Sequence, residues 1–221
     1  MLYAMVASAA LLAPESGDAQ AEAVFAAAQA MAAGHAAEAI EKIDPALSAY
    51  EKQFGGEKRR IVCAWGPDDT LSSLFGAALD GKDTIAIKGD WCDALFIKGF
   101  SLVDLKRTAE GVPYLERAVA MAPNNAHFLN ELAYTYGVQG NWTRSIVTYR
   151  RAANAAEQGD ERHRVDEKGR ALRGVGYAAV EQSRWDEAEA AYQDAAKLDP
   201  KDPRPPVELR YIAEHRPKPS V

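Results

Sequence analysis

Cysteine and histidine are scarce in this chain: two cysteines, Cys63 and Cys92, and four histidines stand among 221 residues. Two thiols alone do not make a zinc site, and their separation excludes a C-x-x-C redox motif. His35, His127, His163 and His215 are scattered, and none lies at metal-ligand spacing from another histidine or a cysteine. Glycine-rich phosphate loops of the P-loop and dinucleotide types are missing. So is the G-x-S-x-G elbow of a serine nucleophile. Asp80, Asp83, Asp90 and Asp93 surround Gly81 and Gly89, but their spacing does not match an EF-hand loop. Cys63 and His127 are an unconstrained pair as nucleophile and base, and a structural cysteine is the simpler reading. No catalytic residue, metal or cofactor is assigned, and the chain reads as a non-enzyme.

Positive charge is also short. A net charge of −6 leaves no electrostatic footprint for nucleic acid and no basic face for anionic lipid. The apolar run at residues 2–13 is too brief to span a bilayer, so stable membrane insertion is not expected. It precedes Ala19-Gln20-Ala21, a small-x-small cleavage pattern, although it carries no positive n-region. Residues 1–21 therefore read as a signal peptide and the protein as periplasmic or otherwise exported. The alternative is an alanine-rich first helix in a cytoplasmic protein. Export would allow Cys63 and Cys92 to form a disulfide. Closing that loop would contribute roughly 3 kcal/mol; the other reading is two buried free thiols.

What the chain does have is apolar content, 48%, much of it alanine, with 9% aromatics. That composition can fill a core and favours packed helices over strands. Residues 20–54 read as helical with a break at Gly34-His35, and Asp44-Pro45 either restarts or kinks the second half. Residues 55–90 are the least regular part. They contain a strong turn at Gly66-Pro67-Asp68-Asp69, a helix expected over 70–79 capped by Asp68 or Asp69, and strand-like Thr84-Ile85-Ala86-Ile87. Because 20–92 spans close to two periods of the repeat described next, degenerate repeats are expected within 22–91.

From Cys92 onward a fixed-period pattern takes over. Segments starting at Cys92, Ala126 and Gly169 share an apolar residue at the fourth position (Leu95, Leu129, Leu172) and a small one at the eighth (Gly99, Ala133, Gly176). They share Leu115, Tyr149 and Tyr192 near the twenty-fourth position and Ala118, Ala152 and Ala195 at the twenty-seventh. Small residues at these places let two helices approach closely while the large ones fill the groove between them. The second segment begins 34 residues after the first and the third 43 after that, so nine extra residues fall at 157–168. They are expected to form a charged linker or to lengthen the preceding second helix. Gly111 and Pro113 predict that the second helix of the first pair starts late.

These residues resemble the tetratricopeptide repeat family, whose unit is a helix-turn-helix. The third segment carries the best match, through Leu172, Val175, Gly176, Trp185-Asp186-Glu187-Ala188, Tyr192, Ala195, Leu198 and Pro200. The second lacks the closing proline, where Glu157 stands, and the first has Lys98 at a normally apolar position. The resemblance implies an all-α, right-handed superhelical solenoid with a less regular N-terminal half. Its repeats would be 92–125, 126–168 and 169–202, followed by a capping helix and tail over 203–221. It also implies a noncatalytic scaffold that binds a peptide or protein segment along the first helix of each pair.

On that implied face the template places Asp93, Phe96, Phe100 and Val103, then His127, Asn130 and Tyr134, then Arg170, Arg173 and Tyr177. Phe96, Asn130, Tyr134, Arg170, Arg173 and Tyr177 are the candidate partner-binding residues, with aromatics and arginine weighted for their share of interface energetics. The arginines could hold a carboxylate by bidentate contacts; otherwise they belong to a solvated face balanced by Glu161, Asp166 and Glu167. The rings could instead pack as core between first helices. A self-associating homo-oligomer is the alternative function.

Overall fold

The computed structural model describes residues 18–67, 70, 71, 74–76, 81–159 and 161–217. The apolar run at 2–13, the candidate caps Asp68 and Asp69, and Asp80 lie outside the described residues. Two compact units divide the chain, Met1–Ala122 and Pro123–Val221.

The first unit opens with a helix pair, α1 (Ala19–Ala32) and α2 (Ala36–Phe54). Two strands follow, β1 (Arg60–Ala64) and β2 (Thr84–Lys88), and then a second pair, α3 (Asp90–Asp104) and α4 (Thr108–Met121). The second unit contains α5 (Ala126–Val138) with α6 (Trp142–Gln158), α7 (Glu161–Glu181) with α8 (Trp185–Leu198), and a last helix, α9 (Arg204–His215).

One turn geometry recurs in the four helix pairs of the described residues. Gly34, Lys106, Gly140 and Ser183 each follow a first helix with φ of +79°, +64°, +71° and +56°. The amide of each donates to the carbonyl three residues back, as Gly34 does to Met31 and Ser183 to Val180. The next amide reaches five residues back, His35 to Ala30, Arg107 to Leu102, Asn141 to Tyr136 and Arg184 to Ala179. This left-handed closure satisfies carbonyls that the helix end leaves open. It marks α1–α2 as a repeat of the same kind, which its alanine-rich sequence only hints at.

The helices close on one another at glycines. A Cβ on Gly111 would lie 2.5 Å from the Gly99 carbonyl oxygen, so α3 and α4 meet backbone to backbone. That contact requires α4 to be helical already at Gly111. The helix accordingly begins at Thr108 rather than late, and Pro113 lies inside it. So early in a helix, Pro113 leaves a single carbonyl without its partner. Pro45 is likewise carried within α2 rather than ending it, and Ser48 Oγ donates to the Asp44 carbonyl at 3.0 Å. Lys98, unusual at an apolar position, places Nζ 2.6 Å from Asp44 Oδ1 and faces the Tyr114 ring. Its charge therefore links α3 to α2.

Between the two pairs of this unit lies a small parallel sheet, where the repeat spacing predicts a further helical repeat. β1 and β2 align Arg60 with Thr84 through Ala64 with Lys88. The β-branched Ile61, Val62, Ile85 and Ile87 suit a pleated surface, and parallel pairing needs the long crossover that residues 65–83 provide. Cys63 of β1 is joined to Cys92 in the first turn of α3 by a disulfide, with Cα atoms 6.3 Å apart. Beside it the Trp65 indole donates to Asp93 Oδ2 at 2.9 Å and lies on Gly89, where a Cβ would fall 2.2 Å from the ring. Trp91, 1% exposed, stacks against Tyr50 and Phe54 and carries the Arg117 guanidinium 4.7 Å from its ring.

Of the extra residues at 157–168, the first two lengthen the preceding second helix, one of the two expected forms. Those from Glu161 on take a form the sequence does not indicate. They lengthen the first helix of the last pair, so that α7 begins at Glu161 and reaches 21 residues. Second helices α4 and α8, of 14 residues each, stop just before Pro123 and Pro200. With Glu157 in place of that proline, α6 continues to Gln158. Glu157 then pairs with Arg164 and Lys168 of α7.

Candidate functional site

The candidate face is built on α5 and α7, the first helices of the two pairs in the second unit. α5 buries Phe128, Leu129, Leu132, Ala133 and Tyr136, which leaves Tyr134 48% exposed. α7 buries Ala171, Val175, Ala178 and Ala179, and Tyr177 is 54% exposed. Both tyrosines stand nine residues into their repeat, the position Phe100 holds in α3. α7 presents this face because its glycines receive rings from behind. A Cβ on Gly174 would be 2.4 Å from the Tyr149 ring, and one on Gly176 would be 2.6 Å from the Tyr192 ring.

Tyr177 meets Trp142 edge-on, with centroids 5.8 Å apart and planes at 73°. That geometry suits the ring quadrupoles and holds the phenol in place. The Glu181 carboxylate one turn on and the Glu208 carboxylate of α9 act on its hydroxyl electrostatically. Burial, then these carboxylates, push the phenol's pKa up, so it stays a neutral donor.

Below the tyrosines lies an ionic network centred on Glu167. Asn130 Nδ2 donates to Glu167 Oε2 at 2.7 Å and to the Glu167 carbonyl at 3.0 Å. His127 Nδ1 is 3.0 Å from Oε1. Burial pulls the His127 pKa down, but the Glu167 hydrogen bond and the charges of Glu131 and Glu167 outweigh it, and the net shift is upward. Burial raises the Glu167 carboxyl, and the His127 bond reverses that to a net lowering. Arg170 pairs with the 5%-exposed Glu131 at 2.6 Å. Arg173 Nη1 reaches Asp202 Oδ2 at 2.7 Å. Asp202 also accepts from Arg204 Nε at 2.8 Å and from the Arg204 amide at 3.0 Å, which ties the first turn of α9 to α7.

The six candidate contact residues thus separate. Tyr134 and Tyr177 come together on the open face. Asn130, 0% exposed, is instead a packing residue whose amide is taken by Glu167. Phe96 is buried as well, stacked at 5.8 Å on Phe100, which is only partly buried, and Val103 is also buried; in the first unit Phe96 is core. Arg170 and Arg173 are paired internally. Sequence reasoning missed Glu131, Asp202, Glu181 and Glu208, and named Glu167 only as a balancing charge on a solvated face. Glu181, one helical turn after Tyr177, was the most accessible from spacing.

Among the described residues no group of three or more His, Cys, Asp or Glu is placed to hold a metal ion, and no helix is long and apolar enough to cross a membrane. The sequence profile described as Tetratricopeptide repeat matches residues 98–161 and 148–203. Residues 98–203 are tetratricopeptide repeats. Such repeats are protein-interaction modules.

Solved tetratricopeptide structures share the fold at low identity. The nearly identical TPR-like repeats of Podosopora anserina superpose with a TM-score of 0.60 and 14% identity, covering 87% of this chain and 84% of that one. MamA, residues 41 to the end, from Desulfovibrio magneticus RS-1 gives 0.56 and 15%, covering 91% and 93%. The first TPR of Spaghetti, bound to the HSP90 peptide SRMEEVD, gives 0.50 and 17%, covering 58% and 94%. No curated protein matches the sequence.

Proposed function

We propose that this protein is a noncatalytic scaffold whose second unit holds an extended peptide or protein segment against the exposed faces of α5 and α7. One observation carries the reading. Tyr134 and Tyr177 occupy one repeat position on neighbouring helices and stay about half exposed, while Phe128, Leu129, Tyr136 and Val175 of the same helices are buried. Tyrosine offers large, stiff contact area with a polar tip, the residue type that dominates interface energetics. The peptide held by the Spaghetti repeat supports the mode of binding.

The compartment we propose is the periplasm or another exported location. The Cys63–Cys92 disulfide supports it, because such a bond persists in oxidising surroundings.

Affinity capture from the native compartment tests the function. The full chain should retain a partner that Tyr134→Ala with Tyr177→Ala loses by roughly tenfold or more, with helical content unchanged. Capture unaffected by both substitutions would end the proposal. Light scattering on the same samples identifies the case in which the captured partner is a second copy.

A further inference from the structure

The charges around the tyrosine pair define what kind of segment fits there. Arg170 and Arg173 are occupied by Glu131 and Asp202, carboxylates buried to within 5% and 7% of full enclosure. Arg204 shares Asp202. His127 and Asn130 are turned onto Glu167. Two carboxylates remain, Glu181 one helical turn after Tyr177 on α7 and Glu208 on α9, and among the described residues neither forms an ion pair with a lysine or arginine. The open surface is therefore aromatic and acidic, although arginines are the more conspicuous residues in its sequence.

We infer that the occupant of this face is a basic segment. A lysine or arginine of the partner lies on the Tyr177 ring, within reach of Glu181 and Glu208, and an apolar neighbour covers Tyr134 and Val138. A cation over a tyrosine face and a carboxylate beside it reinforce each other, because each lowers the cost of desolvating the same charge. An acidic segment would meet Glu181 and Glu208 with like charge and would find Arg170 and Arg173 already paired. This inference rests on the peptide-binding reading above and adds the partner's chemistry to it.

Selection of short random peptides on the full-length protein tests it, with Tyr134→Ala/Tyr177→Ala as one counter-screen and Glu181→Gln/Glu208→Gln as another. The expected yield is peptides rich in lysine and arginine. Their affinity should fall roughly tenfold in the glutamine variant and weaken with rising salt. Tyrosine-dependent peptides of neutral or acidic composition would overturn the basic-partner inference and leave the peptide-binding function standing. So would basic peptides whose affinity the glutamine variant leaves intact. Failure to recover any tyrosine-dependent peptide would remove the peptide-binding function itself, and the partner's chemistry with it.

Discussion

Replacing Ser183 by glycine should stabilise the second unit, although Ser183 makes a well-formed turn. The residue sits at φ +56° in the left-handed closure that joins α7 to α8. A side chain in that region costs about 1–2 kcal/mol through contact of Cβ with the following carbonyl. Glycine removes that cost but has more backbone freedom to lose on folding, about 0.5–1 kcal/mol. The net expectation for Ser183→Gly is a gain of about 0.5–1 kcal/mol. The mirror experiment is Gly140→Ala, at φ +71° in the preceding pair. A Cβ there meets nothing within 4 Å, so any loss is purely conformational and should be about 1 kcal/mol. Urea unfolding followed by circular dichroism reads both as shifts of midpoint at constant slope. Ser183→Ala is the control, since it keeps the Cβ and removes the hydroxyl, and it should be nearly neutral. If Ser183→Gly destabilised while Ser183→Ala did the same, the hydroxyl would matter and the backbone argument would be wrong.

Gly176→Ala should cost about 1–3 kcal/mol by overpacking against the 2%-exposed Tyr192 ring. Pairing it with Tyr192→Leu should recover part of that in the same unfolding assay. Breaking the Cys63–Cys92 bond, by reduction or as Cys63→Ser/Cys92→Ser, should destabilise the first unit by about 3 kcal/mol, given a sequence separation of 29. A loss below about 1 kcal/mol would show that the unfolded loop is already restrained. The His127–Glu167 pair should show in the pH dependence of stability. His127's folded pKa lies above its unfolded value near 6.5, so its contribution is complete below about pH 6.5 and fades as pH rises through the folded value. Glu167's is lowered, so its contribution is present above about pH 4.5 and is lost as pH falls through the folded value. The stability difference between wild type and His127→Gln should therefore be larger at pH 6 than at about pH 8; an equal difference would refute the pairing.

Repeat periodicity made the helical pairs from Cys92 onward legible, because it records contacts repeated at fixed spacing. Gly99, Gly176, Ala118 and Ala195 stand out as close-approach positions from their register in the repeat. The left-handed turns were readable at Gly34 and Gly140 but not at Lys106 or Ser183, where context forces a conformation that the residue type does not advertise. The parallel β1–β2 pair was half visible in Thr84-Ile85-Ala86-Ile87. Its partner at Arg60–Ala64 is preceded by charge, and pairing across a 19-residue crossover leaves no local signal. The tyrosines of the site were legible from their shared repeat position. The burial of Asn130 and the pairing of Arg170 and Arg173 were not, because their partners come from other helices at separations set by packing.

Those pairings also decide what the face can do. Drawing Arg173 out to a ligand would leave Asp202, which anchors α9, buried with its charge only partly answered by Arg204. Drawing out Arg170 would strand Glu131. Either step costs on the order of 2–3 kcal/mol, below the figure for a fully enclosed pair because Arg170 and Arg173 keep some solvent contact. An exposed arginine–carboxylate contact to a partner returns about 1 kcal/mol or less. Recruitment of these arginines is therefore uphill. Contact through Tyr134, Tyr177, Glu181 and Glu208 breaks no ion pair of the described residues. The extension of α7 has the same consequence, since it delivers Glu167 to His127 and Asn130, engaging the half-exposed imidazole and withdrawing the amide from the surface. The departures from the repeat template thus act by subtraction, removing the polar groups a carboxylate would need and leaving a surface on which a cation is the better guest.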